Sequence, residues 1–132
     1  MAYADTYGQA AYYVASAADK VYVNPGGMID WHGLAAMPVF YTDLLKKAGV
    51  KVQTFRVGTY KSYVEPFTRT EMSEANREQT ESYIRSLWSH MLKETARGRR
   101  IIPARLDTLA NHYAIFSDPQ QYVGQRMADS LY

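Results

Sequence analysis

The stretch G-T-Y-K-S, residues 58–62, sets Lys61 behind a glycine at the end of an apolar run, with Tyr60 before it and Ser62 after it. A lysine in that setting can serve as a general base, provided that it gives up its proton. From a reference pKa of ~10.4, neutrality at pH 7 costs roughly 4.6 kcal/mol, and burial against apolar and aromatic walls can lower a lysine pKa by ~3 to 5. Tyr63, Val64 and Phe67 follow closely and are candidates for such walls. Glu65 argues the other way, because a nearby carboxylate holds an ammonium in its charged form. A nucleophile beside the lysine is missing. Ser62 suits a hydrogen bond to local backbone, and Ser16, in an alanine-rich stretch, suits close helix packing.

Other chemistry finds less support. His32, His90 and His112 lie far apart, with no second ligand at metal spacing, and are read as ordinary surface or core residues. The chain has no cysteine, so it offers neither a thiolate nucleophile nor a disulfide framework. The glycines of P-G-G-M and G-T-Y-K do not reproduce a phosphate-cradling loop, and no cofactor is expected. A net charge of +2, with both signs interspersed through residues 65–107, is too weak for a nucleic-acid partner. R-G-R-R at 97–100 reads as a solvated helix end, where positive charge is favoured. The twelve tyrosines mostly have apolar neighbours and suit core or interface positions.

The elements that must position Lys61 alternate. Q-A-A-Y-Y-V-A-S-A-A predicts a helix from about Gln9 to Ala18. V-Y-V at 21–23 predicts a short strand stopped by Asn24-Pro25-Gly26-Gly27, with a second short strand over Met28 to Asp30. Val39, Phe40, Leu44 and Leu45 recur at helical spacing between Pro38 and Lys47, and Gly49 supplies a helix end. K-V-Q-T-F-R-V-G, 51–58, reads as the strand leading to Lys61. Ser73 caps a long helix running to about Arg97, with an apolar stripe of Ile84, Leu87, Trp88, Met91 and Leu92 and with Gly98 as its stop. Pro103 opens a helix through Ala110, and Gln121 to Leu131 predicts a last one. Residues 1–8 carry no cap or strand signal.

This order predicts an α/β layered domain, with short, mostly parallel strands and covering helices. The 132 residues are read as a single partial domain, because two or three strands are few for such a sheet and both ends look cut. No run approaches the ~20 apolar residues that span a bilayer, and the start lacks a signal-peptide pattern, so the piece itself is expected to be soluble.

Y-Y-V-A-S-A-A-D-K-V-Y-V-N-P-G-G-M-I-D-W-H-G-L, followed by the stretch from Phe40 to Ser73 that contains F-R-V-G-T-Y-K-S-Y-V-E-P-F, resembles the signal peptide peptidase A (protease IV) family. The likeness is to the amino-terminal domain of its long, two-domain form, and covers residues 7 to about 103. It implies a fold similar to the ClpP and crotonase groups and a serine peptidase with a Ser-Lys dyad, which degrades cleaved signal peptides at the outer face of the bacterial cytoplasmic membrane. Lys61 falls on the position of the general base, with Tyr60 and Ser62 in support, and the nucleophilic serine would come from a second domain. In short-form members the serine opens a helix. The matching position here is Gln9, which cannot attack a carbonyl. The isolated chain is therefore expected to be inactive, its parent membrane-anchored and its assembly homo-oligomeric. Two rivals stand beside this reading: a non-catalytic scaffold of the same fold, and an acyl-CoA enzyme of the crotonase type.

Overall fold

The computed structural model describes residues 1–55, 62–112 and 118–132. They form two units, one of Met1–Leu34 with Leu87–Tyr132 and one of Ala35–Ser86.

The first unit is built on a three-stranded sheet in the order β1-β2-β3, with β1 Ala2–Tyr7, β2 Val21–Ile29 and β3 Ser130–Leu131. Both pairings are parallel, so the predicted α/β class holds. Strand β1 lay where no strand signal was read. Its alternation is weak because the first inward residues are alanines and the bulge at Asp5 interrupts the pattern before Tyr7: Ala2 and Ala4 pack on the core while Tyr3 and Asp5 face outward, and Tyr7 is buried at the strand's end.

Asn24-Pro25-Gly26-Gly27 does not end β2 as expected. Ala4 pairs with Val23 and Thr6 with Met28, so four residues of β2 bulge opposite Asp5. The bulge is closed by side chains and by close approach. Asn24 Oδ1 accepts from the Gly26 amide at 2.8 Å, and Asn24 Nδ2 donates to Asp5 Oδ1 and to the Tyr3 hydroxyl, both at 3.2 Å. A Cβ on Gly27 would lie 1.8 Å from the Asp5 carbonyl oxygen, so only glycine fits.

Helix α1, Gln9–Ala15, joins β1 to β2 and is shorter than the predicted stretch to Ala18. Its Tyr12 is fully buried, stacks edge-on with Tyr7 and Trp31, and donates its hydroxyl to the Met127 carbonyl at 2.9 Å. Trp31 tilts against Trp88 and donates Nε1 to the Leu106 carbonyl at 3.0 Å. These aromatics carry much of the core together with Val21, Val23, Ile29, Leu106 and Met127. Burying each such side chain contributes on the order of 1.5–3 kcal/mol.

Helix α4, Glu74–Arg99, is the long predicted helix; of the expected stripe Met91, Trp88 and Leu92 lie on the core, whereas Leu87 is 40% exposed and Ile84 is not part of the core cluster. Gly98 does not stop it. A Cβ there would come within 2.1 Å of the Ser16 carbonyl oxygen, so the glycine permits close packing on the end of α1. The left-handed residue is Arg100, at φ 55, and the Ile101 amide closes the helix onto the Ala96 carbonyl at 3.0 Å. Helix α5, Pro103–Asn111, follows as predicted. The last predicted helix is instead a short α6, Gln120–Gly124, followed by a turn with Arg126 at φ 62 and then β3. The turn releases the backbone of 129–131 to pair with β2.

In the second unit, α2 spans Thr42–Lys47, shorter than the predicted start at Pro38, and Gly49 at φ 70 ends it as expected. A 3-10 turn, Ser62–Val64, leads into α3, Glu65–Thr68. Tyr41 stacks on Phe67, its amide donates to the Pro66 carbonyl, and the Thr42 hydroxyl donates to the Arg69 carbonyl at 2.5 Å. The strand predicted for 51–58 is not formed over its described part, 51–55. Among the described residues of this run Val52 and Phe55 are 42% and 89% exposed, and 51–55 join no strand.

Candidate functional site

Lys61 and Tyr60 lie outside the described residues. Ser62 begins the 3-10 turn and is half-buried. Two of the expected wall residues do not bury themselves: Tyr63 is 88% and Phe67 42% exposed.

What does hold this segment is Glu65. Its side chain is 1% exposed, and its carboxylate accepts from the Ser73 amide at 3.1 Å, the Ser73 hydroxyl at 2.5 Å and Asn76 Nδ2 at 2.9 Å. Burial raises the carboxyl pKa, but these donors, helped by Arg69, outweigh it and the net shift is downward. The carboxylate is therefore ionised at neutral pH and ties α3 to the start of α4. Ser73 does cap α4, as its sequence position predicted, because its hydroxyl also accepts from the Asn76 amide at 3.2 Å.

At the start of α1, Gln9 is 9% exposed and fully engaged. Its Oε1 accepts from the amides of His32, at 3.0 Å, and Gly33, at 2.8 Å, and its Nε2 donates to the Gly33 carbonyl at 2.7 Å. Gly33 sits at φ +93, which lets two successive amides converge on one oxygen. A side-chain carbonyl thus fills a two-amide cradle. Beyond it, His32 Nδ1 lies 2.7 Å from Asp30 Oδ1, and both side chains are partly exposed, 45% and 31%. Sequence reasoning weighed Gln9 as a lost nucleophile and His32 as an ordinary histidine; the D-x-H spacing was the only signal of their joint arrangement.

A second missed group is Arg99, taken as part of a solvated helix end. It is 7% exposed, and Nη2 donates to Asp129 Oδ2 at 2.7 Å. Asp129 also accepts from the Val21 amide at 2.8 Å and from Lys20 at 3.2 Å. Burial opposes ionisation, but these donors hold its carboxyl down at about 2. Burial pushes the nearby Tyr12 phenol well above its ordinary value. Ser16 matches its packing role: it is 2% exposed, with its hydroxyl on the Tyr13 carbonyl at 2.7 Å. No helix among the described residues is long and apolar enough to cross a membrane.

Comparison with known proteins then narrows the reading. The sequence profile of peptidase family S49 matches residues 1–131. Over 102 residues, 77% of this chain, it is 44% identical to Protease 4 of Salmonella typhi, and over 131 residues, 96% of the chain, it is 37% identical to Protease 4 of Haemophilus influenzae. A chloroplastic serine protease, SPPA, of Arabidopsis thaliana is 27% identical over 85 residues, 64% of this chain and 13% of that protein. The chain spans 16% and 21% of the two Protease 4 relatives.

Proposed function

The chain belongs to peptidase family S49, whose fold is ClpP-like, and from that premise we propose that it is the lysine-bearing, amino-terminal peptidase domain of a longer Ser-Lys peptidase. The observation that carries this reading is that one sequence has both Lys61 in its F-R-V-G-T-Y-K-S setting and, at the helix start where short-form relatives have a nucleophile, Gln9. An amide committed to three hydrogen bonds offers no attacking oxygen, so the serine comes from a second domain. Lys61, neutral when enclosed by that partner, takes the serine proton as the oxygen attacks the peptide carbonyl. The resulting ammonium then protonates the leaving amine, and water releases the acyl group. Without that serine the isolated chain is inactive. The substrates are remnants of cleaved signal peptides, met on the extracytoplasmic side of a bacterial cytoplasmic membrane to which the parent is anchored.

The test is Lys61→Ala in the complete protein. Loss of peptide hydrolysis by a factor of about 10² or more, the range of general-base catalysis, with assembly intact, supports the reading. Full activity would overturn it.

A scaffold role has its own support. Met37, Phe55 and Tyr63 are each more than 85% exposed, and Leu45, Val50, Val52 and Phe67 line an open groove of about 440 Å³. Such apolar surface on one unit is suited to cover by another domain or a second copy. Light scattering of the complete protein that shows only monomer at high concentration would remove the second-copy form of this reading, and full loss of activity in Lys61→Ala with assembly intact would remove the non-catalytic role.

A further inference from the structure

We propose that His32 is a peptide-contacting residue, held by Gln9 and Asp30 so that its imidazole Nε2 accepts a hydrogen bond from a backbone N–H of a bound extended peptide. The proposal rests on the peptidase reading of the chain, and adds a binding residue that the lysine-centred chemistry does not use.

Three observations converge on it. The backbone under His32 is fixed, because Gln9 Oε1 takes the amides of His32 and Gly33 and Gln9 Nε2 returns to the Gly33 carbonyl. The ring is fixed as well, since Nδ1 faces Asp30 Oδ1 at 2.7 Å while the Asp30 amide is itself anchored on the Tyr7 carbonyl at 2.8 Å. An ionised carboxylate only accepts, so a neutral imidazole in this pair carries its proton on Nδ1 and leaves Nε2 a bare acceptor. The ring is 45% exposed, so its far edge is open to solvent. A surface histidine needs none of this scaffolding to remain soluble. In its neutral form such an imidazole, 45% exposed and anchored at Nδ1, is a pre-organised acceptor, and binding to it costs little side-chain ordering.

The experiment uses the full-length peptidase and a fluorogenic apolar peptide. One net hydrogen bond corresponds to about a three- to tenfold effect, so His32→Ala should raise KM by about that factor and leave kcat within about twofold. His32→Gln, which keeps an acceptor oxygen, should recover most of the loss. His32→Phe is the diagnostic change: it keeps a ring of similar bulk, removes the acceptor nitrogen, and should raise KM as much as His32→Ala. Unchanged KM in His32→Ala, or a KM in His32→Phe equal to that of the parent, would overturn the proposal. Should the His32→Ala protein fail to fold, His32→Phe and His32→Gln decide it between them. The outcome at Lys61 is independent: an active Lys61→Ala protein removes the catalytic reading and leaves the His32 measurement intact, whereas a KM indifferent to His32 removes only the contact proposed here.

Discussion

Arg99, near the end of a long helix, donates to Asp129, just before the last strand, at 2.7 Å, with only 6% of the arginine side chain exposed. The same carboxylate receives the first amide of β2. One ion pair therefore joins α4 to the sheet at the point where β3 begins. Removing one partner of a buried pair leaves the other charge uncompensated, at a cost of about 3–5 kcal/mol when both are fully enclosed. Asp129 is 23% exposed, which moves the expectation to the lower end. Arg99→Leu should thus destabilise by about 2–3 kcal/mol in urea unfolding, and Arg99→Leu combined with Asp129→Asn should cost less than the sum of the two.

The pH dependence follows from the same carboxyl. Its folded pKa of about 2 lies below the ordinary value of 3.8, so the folded state binds the proton more weakly than the unfolded chain. The stabilisation is present in full above pH ~4 and is lost as pH falls through the folded value. Glu65, also shifted downward, acts in the same direction. Unfolding midpoints in urea should be flat from neutrality to about pH 5 and drop steeply toward pH 2, and Asp129→Asn should flatten part of that drop. A midpoint that rises on acidification would contradict the assignment.

Two glycines mark where backbone meets backbone. Gly27→Ala would drive a Cβ to 1.8 Å from the Asp5 carbonyl oxygen and Gly98→Ala to 2.1 Å from that of Ser16. Neither neighbour is a flexible side-chain end, so relief requires the strand bulge or the α1–α4 contact to open. Each substitution should cost about 1–3 kcal/mol, as overpacking does. Gly8→Ala, which meets nothing within 4 Å, is the control and should change thermal stability little.

These same positions explain what the sequence revealed and what it concealed. Helices α4 and α5 were legible because Trp88, Met91 and Leu92 repeat at helical spacing, Ser73 caps, and Pro103 opens a first turn. The α/β class was legible from alternation alone. Strand β1 was not, since its inward residues before the buried Tyr7 are alanines, whose small side chains give little apolar signal. Asn24-Pro25-Gly26-Gly27 reads locally as a stop, and only the strand beside it turns that chemistry into a bulge. Gly98 reads as a helix end, yet its role is set by Ser16, distant in sequence. The Gln9 cradle and the Arg99–Asp129 pair depend on residues 24 and 30 positions apart, which no local pattern records. Lys61 was read from a motif and lies outside the described residues, while Tyr63 and Phe67, which follow it in sequence, are exposed.

The Glu65 network offers a last test, placed immediately after the lysine segment. Among the described residues its carboxylate accepts from the Ser73 amide, the Ser73 hydroxyl and Asn76 Nδ2. Glu65→Gln replaces one acceptor by an NH₂ group that points at donors, and leaves buried groups unmatched at a cost of about 1–3 kcal/mol. Ser73→Ala removes the α4 cap and one of these bonds, at about 1 kcal/mol. Because both changes act on one network, the double variant should fall short of additivity by at least about 0.5 kcal/mol. Amide hydrogen exchange is the sharper reading: protection at residues 65–69 and 73–77 should fall together in either variant, while that of β2 stays unchanged. Loss confined to the α4 end would mean that Glu65 does not bind the two helices into one unit.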